Sequence, residues 1–378
     1  MNLYRMPEVF IGQDAAKSLG DILPKLGAKH VFIVTGPHVS KSAEFAALAN
    51  TAKAEGREVA IFSDTTADPT VEMVNAAGAK ARAFHADCVI GIGGGSPLDA
   101  AKIVAVLAEY EADAASFVGN ELVPKRHIPL LMVPTTAGTA SEVTIYSILT
   151  DTKAKMKAAV CSREIIPDYA FLIPEMTYSM PSSVTAATGM DALCHATEAY
   201  LSKRRNPYSD VMALKAVRLI SANLRTAVRE PRNVTARENM LMASFFAGLA
   251  FGNSSCTAVH AFAYPLGGMH HVPHGLANSL MFAPVFRHNM AGNEERMTDL
   301  AEAFSGIRNP RALIQAVEDL KRDIGIPMSL KEAGIPESDI ETMAANVMTV
   351  TRLLSVNPNV ITLDDARRIF REAFDGKA

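Results

Sequence analysis

The chain has 378 residues, 49% hydrophobic and 20% charged, enough apolar material for a large core across two ordinary domains and too much for wholesale disorder. Its 37 basic and 40 acidic residues leave a formal net charge of -3 with both signs dispersed, which argues against a nucleic-acid partner or a polybasic membrane segment. The four cysteines, Cys88, Cys161, Cys194 and Cys256, lie far apart with no CxxC pair, so reduced thiols in a cytoplasmic protein are expected rather than a disulfide framework.

Residues 1–8 hold no uninterrupted apolar stretch, so no secretory leader is expected, and no apolar run is long and charge-free enough to span a bilayer. Short β-rich runs then alternate with helical patterns. Val31–Thr35 is a strand candidate closed by Gly36-Pro37, and Ala43–Glu55 reads as an alanine-rich helix. Val59–Phe62 is a second strand. Thr70–Ala83 is a helix with Thr70 as N-cap and Met73, Ala77 and Ala81 along one face. Cys88–Ile92 and Pro129–Pro134 are further strands. Strands alternating with helices predict a mostly parallel sheet covered on both sides.

Cys88–Ile92 runs into Gly93-Gly94-Gly95-Ser96-Pro97-Leu98-Asp99-Ala100-Ala101-Lys102. Glycines let backbone amides approach an anion closely, and Pro97 suits the first position of a helix. The loop would bring a helix N-terminus to a strand's C-terminal end, where open α/β sheets bind phosphate. It is not the GxGxxG fingerprint, so the standard Rossmann inference does not apply; a tight turn without a ligand would suit a single glycine better than three glycines and a serine. A second polar loop, Pro134-Thr135-Thr136-Ala137-Gly138-Thr139-Ala140-Ser141-Glu142, offers hydroxyls to the same crevice or a helix cap at Thr139 or Ser141.

Beyond Pro181, alanine, leucine and methionine recur at helical spacing through Ala186–Leu201, Ser209–Ala222, Arg237–Ala250 and Arg311–Asp323, and Thr362 caps a last helix running to about Phe374. Residues 1–180 therefore read as an α/β domain and 181–378 as an all-α domain. Asp191 and His195, four residues apart, share one helical face. That spacing suits two metal ligands, and equally a surface pair or a buried hydrogen bond. Four of the ten histidines, His260, His270, His271 and His274, lie within fifteen residues. His260 sits in an apolar helical stretch ended by Pro265 and Gly267-Gly268, and His274 precedes another helix. One carboxylate with three imidazoles would suit divalent iron or zinc. Cys194 and Cys256 read as packed core thiols, and Phe251, Phe262 and the surroundings of Asn357 as pocket wall.

With the glycine loop, the Pro134–Thr144 loop, Thr188–His195 and Pro273–Asn278, the chain strongly resembles the iron-containing (group III) alcohol dehydrogenase family over essentially its full length. The resemblance implies the iron-containing alcohol dehydrogenase, or dehydroquinate-synthase-like, fold. That fold has a Rossmann-like α/β nucleotide-binding domain and an all-α metal-binding domain, with the active site in the cleft between them. It implies Asp191, His195, His260 and His274 as metal ligands, with Fe(II) the expected ion and zinc the alternative. Gly36, Gly93, Gly94, Gly95, Ser96, Asp99, Thr135, Thr136, Thr139, Ser141 and Lys157 become cofactor-binding candidates for NAD or NADP, Lys157 being equally readable as a solvated lysine. Hydride transfer between the nicotinamide and a small alcohol or its aldehyde or ketone is the implied reaction, in a homodimer or higher homo-oligomer.

Two departures from the family pattern stand out. Tyr264 occupies a position where many members carry a histidine, so a proton relay falls to Tyr264, His270 or His271, each also readable as a wall or surface residue. Gly36 stands where NAD-preferring relatives commonly carry an aspartate, and His38, Ser40 and Lys41 lie close enough in sequence to meet a 2′-phosphate, so NADP should be accepted. Among rival readings, a glycerol-dehydrogenase-like zinc enzyme is disfavoured by His195. A hydroxyacid–oxoacid transhydrogenase is poorly separated by sequence. A dehydroquinate-synthase-like lyase would need a basic pocket that no Arg/Lys cluster near the metal motifs supplies.

Overall fold

The computed structural model describes residues 3–152 and 156–376; Met1 and Asn2, at the start of the segment read for a leader, lie outside the described residues. The described residues form two compact units, one ending at Ser179 and the other beginning at Met180.

In the first unit the strands are β1 (Glu8–Ile11), β2 (His30–Thr35), β3 (Glu58–Phe62), β4 (Cys88–Gly93), β5 (Gly119–Asn120), β6 (Leu130–Pro134), β7 (Tyr146–Asp151), β8 (Met156–Cys161) and β9 (Tyr169–Leu172). Six form one sheet in the order β1-β9-β6-β4-β2-β3, with every pairing parallel. The central strands are apolar without interruption because both sheet faces are covered. Val31, Ile33, Ile90 and Val133 pack on one side with Leu19 of α1 (Ala15–Lys25) and Leu48 of α2 (Ala43–Lys53). Phe32, Val34, Val89 and Met132 pack on the other with Val74 of α3 (Val71–Ala83) and Ile103 of α4 (Gly95–Leu107). The side-chain period of two sends alternate residues to opposite helix layers. The Thr70 hydroxyl accepts from Met73 N at 3.1 Å, the expected N-cap.

A second sheet, β5-β8-β7, contains the antiparallel β7–β8 pair, which the sequence reading did not find. Pro97 also differs from expectation. α4 begins at Gly95, with Gly94 as N-cap, so Pro97 is the third helical residue. The missing N–H still falls in the first turn, where it has no intrahelical partner to lose.

The second unit is helical: α5 (Ser182–Leu201), α6 (Pro207–Arg229), α7 (Val234–Gly252), α8 (Ala258–His270), α9 (His274–Asn289), α10 (Glu294–Ser305), α11 (Pro310–Asp323), α12 (Ile340–Val347), α13 (Thr351–Leu354) and α14 (Leu363–Asp375). Every residue of α5 from Gly189 to Leu201 is buried, because α6, α7 and α9 pack around it. α8 does not stop at Pro265, as its sequence suggested, but runs through it to His270. Burial of Phe262, Pro265 and Leu266 compensates for the lost backbone bond. Thr362 caps α14 in a reciprocal capping box with Asp365. Among the described residues no helix is long and apolar enough to cross a membrane.

Candidate metal centre and nucleotide loop

A carboxylate buried in a helical core is costly unless it is paired. Asp191 of α5 is 2% exposed, and three imidazoles face it. Its Oδ1 lies 3.9 Å from His195 Nε2, 3.7 Å from His260 Nε2 and 3.6 Å from His274 Nε2. Asn278 Nδ2 donates to the same oxygen at 2.7 Å and stands 3.2 Å from both His260 Nε2 and His274 Nε2. Burial by itself would raise the Asp191 carboxyl, but His195, His274, His260 and the Asn278 amide outweigh it and hold the group below its ordinary range.

Local sequence explains the convergence. Asp191 and His195 are one turn apart on α5, His260 belongs to α8, and His274 opens α9 with Asn278 one turn later. Gly275 sets the approach of α9 to α5. A Cβ there would fall 2.2 Å from Ala187 O and 3.2 Å from Asp191 Cβ, so only glycine lets the helix start this close.

The His260 ring is fixed from behind. Its Nδ1 pairs with Glu198 Oε2, and Glu198 Oε1 accepts from Thr257 N (3.1 Å), Thr257 Oγ1 (2.8 Å) and Val259 N (2.7 Å). A carboxylate at Nδ1 assigns the proton to Nδ1 and leaves the Nε2 lone pair directed at Asp191. Burial pulls the His260 imidazole down, whereas Cys256 and Glu198 push it up more strongly. His195 stacks between Phe251 (ring centroids 4.3 Å apart) and His260 (4.6 Å). Burial lowers His195 as well, and Asp191 with Cys256 reverses the shift.

The donors fall into two overlapping groups, Asp191–His260–His274 and His195–Cys256–His260, each with ligand atoms within 4.8 Å of one another. His274 is 48% exposed at its side chain and forms the solvent-facing edge. A divalent cation fits these residues. Imidazole nitrogens converge on one carboxylate oxygen, and the buried Asn278 Oδ1 has no hydrogen-bond partner among the described residues.

In the first unit the two polar loops pack together. Thr135 N donates to Gly93 O at 2.8 Å. A Cβ on Gly95 would fall 2.8 Å from Thr139 Cγ2, and one on Gly93 would fall 2.6 Å from Pro97 Cγ, so the glycines serve close packing as well as an open backbone. Ser96, Thr136 and Thr139 are half-buried along this surface, and Thr135 is buried. Asp99 faces inward. Its Oδ1 accepts from Ser141 Oγ at 2.5 Å and its Oδ2 from Ile148 N at 2.9 Å, which ties α4 to the second loop and to β7. Lys102, fully buried, donates to Thr144 O at 2.9 Å and Tyr146 O at 2.6 Å. Its pKa falls to about 8, chiefly through burial. Lys157 is exposed on β8 and pairs with Asp68 Oδ1 at 2.5 Å. Gly36 lies beside the glycine loop, where a Cβ would stand 3.7 Å from Pro97 Cγ.

Family profiles for iron-containing alcohol dehydrogenase match residues 7–174 and, for its C-terminal part, residues 185–374. The chain is 38% identical to the long-chain-alcohol dehydrogenase 1 of Geobacillus thermodenitrificans, covering 98% of this chain and 96% of that one. It is 37% identical to the 1,3-propanediol dehydrogenase of Citrobacter freundii, over 98% of both. A crystal structure of a 1,3-propanediol oxidoreductase superimposes with a TM-score of 0.94 at 37% identity, covering 99% of this chain and 100% of the other. The chain belongs to the iron-containing alcohol dehydrogenase family. It is an oxidoreductase of alcohols, and iron and a nicotinamide nucleotide are the cofactors of that family in general.

For an alcohol dehydrogenase of this family the remaining candidates separate clearly. Tyr264 is half-buried one turn beyond His260 on α8. His270 faces Asp339, 3.4 Å away, and His271 is exposed as the left-handed C-cap of α8 at φ 54°. Phe251 touches the centre through His195. Phe262 corrects the pocket-wall reading, since it is fully buried against Phe370 of α14. Asn357 is likewise internal, bonded to Asn289 Oδ1 at 2.8 Å and Asn359 O at 2.7 Å. Cys194 is a core thiol whose burial pushes its pKa up. Cys256 instead stands among the imidazoles, which outweigh burial and lower its pKa. Sequence reasoning gave no role to Glu198 or Asn278. Helical spacing could have found both, because Glu198 is seven residues after Asp191 and Asn278 four after His274.

Proposed function

We propose that the enzyme interconverts a primary alcohol and its aldehyde, with iron held by Asp191, His195, His260 and His274 and with NADP accepted as the nicotinamide nucleotide. The observation that carries this reading is the convergence of three imidazole Nε2 atoms on Asp191 Oδ1, at 3.6–3.9 Å. When bound, the divalent ion supplies Lewis-acid activation of the substrate oxygen and the nicotinamide supplies hydride chemistry. One carboxylate and three neutral imidazoles hold a dication without cancelling its charge. Glu198 keeps the His260 tautomer, and the exposed edge at His274 is where substrate enters.

In the first unit, the backbone of Gly93, Gly94 and Gly95 with Ser96, Thr135, Thr136 and Thr139 forms the phosphate-binding surface at the α4 N-terminus. Asp99 and Ser141 brace that surface through their mutual hydrogen bond. Lys157 is a cofactor contact once freed from Asp68. Gly36 removes the carboxylate that would repel a 2′-phosphate, leaving His38, Ser40 and Lys41 to meet it. Tyr264, through its hydroxyl, relays the substrate proton. Among the described residues no disulfide joins the cysteines, in keeping with a cytoplasmic location, and a homodimer or higher oligomer is the proposed assembly.

The test is paired metal analysis and turnover with a panel of primary alcohols and aldehydes, using both nicotinamide nucleotides. Asp191→Ala and His274→Ala should lose metal and activity together while nucleotide binding survives. A metal-depleted variant with full turnover would overturn the assignment.

A further inference from the structure

One sulfur atom stands beside two of the nitrogen donors. Cys256 lies two residues before α8, 9% exposed. Its Sγ, a ring nitrogen of His195 and a ring nitrogen of His260 lie within 4.8 Å of one another. Stacking on Phe251 and on His260 fixes the plane of the His195 ring. The other group, Asp191–His260–His274, contains an oxygen donor and no sulfur. The two groups share His260, so a single ion leans toward one or the other. Their chemistry differs: thiolate and imidazole suit softer zinc or cobalt, and a carboxylate suits harder iron.

We propose that Cys256 is a metal ligand, and that with His195 and His260 it holds zinc or cobalt at a position displaced from the Asp191–His274 side. This rests on the metal centre proposed above. Binding converts the thiol to a thiolate, and its proton leaves to solvent. The identity of the ion thereby sets its position. A zinc-loaded chain carries its ion on the buried side, away from the exposed His274 edge, and should turn over more slowly than the iron form.

The experiment titrates Co(II) into metal-free full-length protein and follows the near-ultraviolet spectrum. The expected result is one bound cobalt with a sulfur-to-cobalt charge-transfer band, abolished in Cys256→Ser and retained in Cys194→Ser and His274→Ala. Zinc affinity should fall about tenfold or more in Cys256→Ser. X-ray absorption of the zinc-loaded unmodified chain should find one sulfur neighbour at about 2.3 Å, a readout that needs no variant to fold. Cobalt binding without the band, a band that survives in Cys256→Ser, or a zinc shell of nitrogen and oxygen alone overturns the role of Cys256 and leaves the metal centre standing. Failure of the unmodified chain to bind cobalt, iron or zinc overturns both.

Discussion

Glu198 holds the Nδ1 edge of His260 while the Nε2 edge of the same ring stands 3.7 Å from Asp191 Oδ1. The carboxylate fixes both the tautomer and the ring plane, so its removal acts through His260. Glu198→Ala should weaken iron affinity about 10–100-fold, the usual cost of losing such a partner, and Glu198→Gln, which can still accept the Nδ1 proton, should lose less. Chelator-competition titration measures this. Equal affinity in the two variants and the unmodified chain would show that helix packing alone holds the ring.

Gly275 makes a sharper geometric prediction. The methyl of Gly275→Ala would meet Ala187 O at 2.2 Å, and a backbone oxygen cannot rotate away as a side chain can. α9 must back off from α5, which carries His274 from Asp191. The expected loss is about 1–3 kcal/mol of stability, typical of overpacking, together with weaker metal binding. Gly268→Ala is the control, since nothing lies within 4 Å of its Cβ position and α8 already encloses it. Thermal melts and metal titration of the two variants compare them directly; a Gly275→Ala chain that melts and binds iron like the unmodified chain rejects the argument.

The sequence revealed this site unevenly, for physical reasons. The inner strands were legible because β2, β4 and β6 are buried on both faces and carry unbroken apolar runs. β1 and β9 are four residues each and exist because they pair with one another across the length of the unit. β8, with Lys157, Ala158 and Ala159, has poor intrinsic strand propensity and is held by pairing with β7. Asp191, His195, His260 and His274 were legible as residue types, and the structure gathers their side chains. What spacing could not show was that Cys256 turns toward two of those imidazoles, or that Asp99 spends its carboxylate on Ser141 and Ile148.

Glu142 offers a pH test in the first unit. It is 1% exposed, its Oε1 has no hydrogen-bond partner among the described residues, and burial pushes its pKa from 4.5 up to about 7. The folded state therefore holds this proton more tightly than the unfolded chain. The sign follows: Glu142 is neutral and harmless below about pH 4.5, and stability is lost as pH rises through the folded value near 7. Glu142→Gln should match the unmodified chain at low pH and become more stable by at most about 3 kcal/mol above pH 7, at 1.36 kcal/mol per pKa unit. Denaturant melts across this range check it, and a stability difference independent of pH would mean that Glu142 does not titrate there.

Gly36 carries the last prediction, on nucleotide choice. Its backbone lies outside the left-handed region, and a Cβ there would stand 3.4 Å from Thr65 O and 3.7 Å from Pro97 Cγ, ordinary contact distances. Nothing in the fold demands glycine, so its effect is on charge. Gly36→Asp would introduce a carboxylate beside the glycine loop, with repulsion toward a 2′-phosphate of about 1–4 kcal/mol at contact range. The unmodified chain should use NADPH efficiently. Gly36→Asp should lower kcat/KM for NADPH about tenfold or more, the equivalent of 1.4 kcal/mol, while NADH is little affected. Steady-state kinetics with both nucleotides decide the matter: a strong preference of the unmodified chain for NADH would sink the argument, and an equal fall for both nucleotides in Gly36→Asp would mean that the new side chain disturbs the loop rather than reading the phosphate.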